Sequence, residues 1–460
     1  MRRILLKECL AIACMDDGGT EYQSADLLID GRTITAVGPA VAAALASGPT
    51  PDEVVDARYK VALPGFVNTH HHMFQTLTRA VPAVQDAKLF DWLVSLYQDW
   101  KHLTPEWTHL SALVAMGELL LTGCTTSSDH FYLFPKDSPD DLLDGTIRAS
   151  RELGIRFHPT RGSMSLGESA GGLPPDSCTQ SEAAILKDCE RVISAWHDPE
   201  PLSMCRVGLA PCSPFSVTDD LMIQSAELAR IHGLQLHTHL AETLDEETFC
   251  LETKGLRPLA LMDKLGWLGD DVWFAHGVHF DDAELGRLAH THTGIAHCPS
   301  SNLRLGSGTC RVPDLLQRGV PVGLGVDGSA SNDSSNMLAE VRMALLAHRE
   351  SDSTRTTARQ VLRMATRGGA EVLGRDDIGQ LAPGKAADVV LFDLEEIGFA
   401  GALHDPIGAL VFCGTSGRVH TSIVNGEFVV RDRRLVGGDE KELFHRARQL
   451  TDAMVARKQS

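Results

Sequence analysis

Several things are missing from this 460-residue chain, and each absence removes a class of protein. No apolar run reaches the ~18 to 20 residues that a bilayer-spanning helix needs, so a membrane protein is not expected. Cationic side chains are in deficit, 42 Lys and Arg against 61 Asp and Glu, for a net charge of -19. Such a chain is a poor partner for nucleic-acid phosphates or for an anionic membrane surface. The 11 cysteines include no Cys-x-x-Cys pair and follow no regular spacing, which gives no disulfide framework and fits a reducing cytoplasm. A leader peptide is not expected either. The opening Met1-Arg2-Arg3-Ile4-Leu5-Leu6 is interrupted by Lys7 and Glu8 and closed by Asp16 and Asp17. Repeats, low-complexity tracts and proline-rich linkers are also lacking.

What remains is the profile of a globular enzyme, 43% hydrophobic and 22% charged, in a chain too long for one compact core. Its most informative string is Asn68-Thr69-His70-His71-His72, directly after the apolar run Val61-Ala62-Leu63-Pro64-Gly65-Phe66-Val67. The run reads as a buried strand. Histidines at i and i+2 then share one side of the strand end, which is how a barrel strand presents two nitrogen ligands to one metal ion. Four further apolar runs end in His or Asp, at Leu234 to His239, Val272 to His276, Gly294 to His297 and Val322 to Asp327. Metal-competent groups at successive strand ends describe the mouth of a (β/α) barrel.

The organisation agrees. Residues 1–60 carry short strand-like runs, with a hairpin turn at Asp30-Gly31. Over 61–375, strand candidates alternate with helical segments such as Asp219 to Arg230, the βα repeat of a parallel barrel. Over 376–438 hairpins return, one with an Asn425-Gly426 turn, and 439–460 reads as a charged amphipathic helix. The expected fold is therefore α/β, a (β/α)8 TIM-type barrel with a small β-sandwich-like domain made by both terminal segments.

The ordered segments Pro64 to His72, His239-Leu240-Ala241-Glu242, Ala275 to His279, His297 to Asn302 and Gly325 to Asn332 resemble the amidohydrolase superfamily. Within it they are similar to the branch of cytosine and guanine deaminases and triazine hydrolases. The resemblance runs through Ile378 to Asp388 and so covers essentially the whole chain. It implies one zinc ion per chain, with iron possible, held by His70, His72, His239 and Asp327. It also implies that Glu242 shuttles protons and that His276 polarises the substrate or orients the water. A small heterocyclic substrate and further copies of the chain are the expected partners, with no nucleic acid and no membrane.

The chemistry is consistent with that set. Imidazoles and a carboxylate suit zinc, and a zinc ion lowers the pKa of a bound water from about 15.7 towards 7. Hydrolytic deamination needs that nucleophile and two proton deliveries, one to a ring nitrogen and one to the departing amine. Glu242, three residues past His239, belongs in the loop after the strand. Asp327 can accept the proton that the water loses. His71 points to the opposite face. His237 shares the face of His239 one layer deeper, and a rival assignment makes it the ligand. For His279, His297 and Asn302, structural hydrogen bonding and substrate contact are both open.

Gln75 lies where the guanine deaminases place an amide that reads the ring edge, and an amide offers both a donor and an acceptor. Those enzymes carry a Pro-Arg pair after the fourth barrel strand. Here it is Pro211-Cys212, a departure that argues against guanine itself. The insert Thr160 to Asp176, with His71 to Arg79, is similar to bacterial 8-oxoguanine deaminases, and isoxanthopterin or a hydroxylated aminotriazine would suit the same features.

Overall fold

The computed structural model describes residues 2–136, 138–139, 141–414 and 417–459, with side chains to residue 455. Eight parallel strands close into a barrel: Phe66–Asn68, Cys124–Phe131, Arg156–Ser163, Gly208–Pro211, Leu236–Leu240, Val272–His276, Gly294–His297 and Val322–Leu324. The ring closes where Leu324 pairs with Asn68. Strands buried on both faces explain the near-continuous apolar runs of the sequence. The helix at Asp219–Ile231 starts behind Thr218, whose hydroxyl accepts the N–H of Leu221. That cap satisfies one donor that a helix start leaves free.

A nine-stranded sheet joins both ends of the chain. Arg3–Ala13 pairs in parallel with Lys60–Pro64, which pairs antiparallel with Val389–Asp393. One apolar cluster takes Ile4, Leu6, Ile29 and Ile34 from the N-terminal arm and Val389, Leu391 and Ile423 from the C-terminal arm. The two arms thus share one sheet and one core. Its hairpin at Asn425-Gly426 has φ of 53° and 83°, the left-handed pair that an Asn-Gly turn supplies at low cost.

One expectation is corrected. The run Val61 to Val67, read as a single strand, is two strands in two sheets: Lys60–Pro64 lies in the terminal sheet and Phe66–Asn68 in the barrel. Gly65 sits at the break, where a Cβ would collide with the side chain of Thr125. The helix Glu440–Gln459 sets Leu443, Ala447, Leu450 and Met454 against the main core. Among the described residues, no helix is long and apolar enough to cross a membrane.

Candidate active site

Polar side chains converge at the C-terminal ends of the barrel strands. Oδ1 of Asp327 lies 3.2 Å from Nε2 of His70 and 3.3 Å from Nε2 of His72. Nε2 of His72 lies 3.0 Å from Nε2 of His239. The opposite ring nitrogens fix the tautomers. Nδ1 of His72 donates to the carbonyl of His130 at 2.7 Å, and Nδ1 of His239 donates to the carbonyl of Cys212 at 2.7 Å. Each Nε2 is then a bare lone pair. Burial holds the His72 imidazolium down to about 3 and lowers His70 and His239 too, so the rings are neutral, the form that ligates metal.

His237, the rival candidate on the same strand, is engaged within the protein. Its Nδ1 meets the carbonyl of Trp273 at 2.9 Å and its Nε2 meets Nδ1 of His70 at 2.8 Å, so both nitrogens are engaged. Acting as acceptor, His237 directs the proton of His70 to Nδ1 and leaves Nε2 bare. That buried atom has no hydrogen-bond partner among the described residues. Three imidazole lone pairs and a carboxylate facing one another repel unless a cation lies among them, and a divalent metal ion fits the set. Two groups here could hold an ion: His70, His72, His130 and His239, and His70, His276 and Asp327. His130 was not anticipated, since an isolated histidine inside a strand carries no motif.

Glu242 is buried in the loop after its strand, with Oε2 3.5 Å from Nε2 of His276 and Oε1 accepting from the Ser307 hydroxyl at 3.3 Å. Burial raises its carboxyl above the usual range by disfavouring the charged form. Oδ2 of Asp327 accepts from the hydroxyls of Ser301 at 2.5 Å and Ser331 at 3.1 Å. His276 and Asp327 both have positive φ, 75° and 63°. Such values are uncommon for residues with a Cβ and concentrate at functional positions.

These groups open into a cavity that is also lined by Gln75 and Cys212. Gly328 lets Gln75 approach, since a Cβ there would collide with the amide. Ala330 N–H donates to its Oε1 at 3.4 Å. Cys212 is a neutral thiol, pushed up to about 12 by burial. Apolar walls come from Leu89, Trp92 and Leu93 of the helix Leu89–Trp100, unforeseen in the sequence because only tertiary packing places that helix over the barrel mouth. Three other histidine-region groups bond within the protein: His279 to the carbonyl of Ser307, His297 to His348, and Asn302 to His276. His71 faces away, 3.0 Å from Ser335 Oγ.

The amidohydrolase family model matches residues 61–429. This chain belongs to the amidohydrolase family. It is 50% identical over 402 residues to 8-oxoguanine deaminase of Pseudomonas aeruginosa, covering 87% of this chain and 89% of that protein. It is 39% identical to hydroxydechloroatrazine ethylaminohydrolase of Pseudomonas sp. strain ADP, covering 94% and 92%. Among solved structures, atrazine chlorohydrolase of Arthrobacter aurescens TC1 complexed with zinc superposes with a TM-score of 0.90 at 34% identity, covering 97% and 100%. As an amidohydrolase with deaminase and aminohydrolase relatives, the chain is a hydrolase of C–N bonds with a His/Asp site for metal.

Proposed function

We propose that this enzyme deaminates an oxidised aminopurine, 8-oxoguanine, to urate and ammonia, at a site that holds one zinc ion on His70, His72, His239 and Asp327. The observation that carries the reading is the facing set of bare Nε2 atoms beside Glu242, in a cavity that also presents a neutral thiol and an amide. Zinc, when bound there, acidifies water towards neutral pKa.

The chain's own groups do the rest. Asp327 accepts the proton that the attacking water loses as its oxygen bonds to the amino-bearing carbon. Glu242 delivers a proton to the adjacent ring nitrogen, takes up the hydroxyl proton of the resulting adduct as the carbonyl forms and passes it to the amine, whose C–N bond breaks to release ammonia; the proton held by Asp327 then recharges Glu242. His276, 3.5 Å from Glu242, orients the water or polarises the substrate. Gln75 holds the lactam edge of the six-membered ring with one donor and one acceptor. Cys212 lies by the five-membered ring. An 8-oxo group turns N7 from acceptor to donor, so an arginine there would set donor against donor, whereas a small thiol leaves room.

A second reading, an aminotriazine hydrolase, draws on the 39% identical relative and on the apolar walls of the cavity. Deamination of isoxanthopterin or guanine would use the same groups. Ammonia release from a panel of aminopurines, aminopterins and aminotriazines separates them. We further place the protein in the cytoplasm as a homo-oligomer; its described cysteines are all free thiols, as a reducing compartment allows.

A further inference from the structure

The helix Leu244–Lys254 begins behind Thr243, whose hydroxyl accepts the N–H of Glu246 at 3.4 Å. A glutamate in the third position of a helix ordinarily turns back to the N–H of the capping residue itself. Glu246 reaches further. Its Oε1 accepts the N–H of Ala241 at 2.8 Å and its Oε2 accepts the N–H of Glu242 at 3.0 Å, the two residues that precede the cap.

The place it reaches is unusual. Ala241 has a φ of 52°, in the left-handed region that a residue with a Cβ avoids. This turn comes directly after the strand Leu236–Leu240, and Glu242 follows it into the cavity. Glu246 is itself buried, lines the same cavity, and faces no cationic partner among the described salt bridges. A buried carboxylate without a counter-charge is costly unless its hydrogen bonds serve something. Capping alone does not explain it, because Thr243 already caps the helix.

We propose that Glu246 is a positioning residue: its carboxylate pins the left-handed turn at Ala241 and the backbone of Glu242, so that the Glu242 carboxylate stays beside His276 and Ser307 through both proton transfers. The inference rests on the proton-transfer role proposed for Glu242. It adds a second acidic residue to the reaction, one that acts through Glu242.

The test uses the metal-loaded full-length enzyme and the substrate it turns over best. Glu246→Gln leaves one oxygen to share between two N–H donors and sets an amide N–H2 against the other. It is expected to lower kcat by about tenfold or more, since small misplacements of a reacting group are costly. KM should stay within about threefold and the metal content should not change. Glu246→Asp keeps the charge with a shorter reach and should recover part of the lost kcat. Thr243→Ala removes the cap and leaves the carboxylate, so its melting temperature should fall while kcat stays within about twofold. Undiminished kcat in Glu246→Gln or Glu246→Asp, or an equal loss in Thr243→Ala, overturns the inference. Glu242→Gln, measured alongside, separates the two claims: full activity there overturns the role of Glu242 and this inference with it. Loss there with none in Glu246→Gln overturns the inference alone.

Discussion

Nε2 of His72 and Nε2 of His239 face each other at 3.0 Å, and each ring has already committed its Nδ1 proton to a backbone carbonyl. Two lone pairs at that separation need a cation between or beside them. Replacing His70, His72 or His239 by Ala should therefore lower the metal content of the purified protein together with its activity. Metal analysis by mass spectrometry checks this, and full occupancy in His239→Ala would remove that residue from the ligand set.

His237 acts one step back, by holding the proton of His70 on Nδ1. Outer partners of this kind typically change metal affinity by about 10 to 100-fold. His237→Ala should weaken affinity by that range in a chelator competition, with the fold intact by circular dichroism.

Proton transfer separates from metal binding at Glu242. Glu242→Gln keeps the shape and removes the exchangeable proton, so the ion should remain while kcat falls by at least ~10². Loss of metal in this variant would make Glu242 a ligand.

The approach of His70 and His72 to Asp327 was legible because a strand has a period of two, so the two rings could be set on one face from their spacing alone. His239 was less certain, since His237 shares its face and only the carbonyl of Trp273 and the ring of His70 show that His237 is engaged elsewhere. The break at Gly65 was hidden in a continuous apolar run, because the close approach of Thr125 that leaves no room for a Cβ there comes from a strand 60 residues away. Glu246 carries no signal of its own in the sequence, because acidic residues are favoured at any helix start. Its reach to Ala241 and Glu242 depends on a left-handed turn that the sequence does not announce, with alanine where glycine would be expected.

A pH effect on stability follows from Glu340, fully buried and accepting from Ser300 N–H and the Asn332 amide. Burial raises its pKa from 4.5 to about 7. A raised pKa means that the folded state holds the proton more tightly, so the associated stability is full below pH 4.5 and is lost as pH rises through 7. Glu340→Gln cannot titrate. Between pH 4.5 and 8, denaturant unfolding of this variant should lose about 3 kcal/mol less stability than the parent. Parallel curves would show that Glu340 does not carry the effect.

The most direct measurement is the ratio of kcat/KM for 8-oxoguanine and guanine, followed by ammonia release with the metal-loaded enzyme. A site that pairs a substrate's polar groups can reject an analogue lacking them by as much as ~10⁴. The account predicts urate as the product and a preference for 8-oxoguanine of at least about tenfold, reduced in Cys212→Arg. Equal values for the two purines, or a clear preference for isoxanthopterin or an aminotriazine, would contradict it.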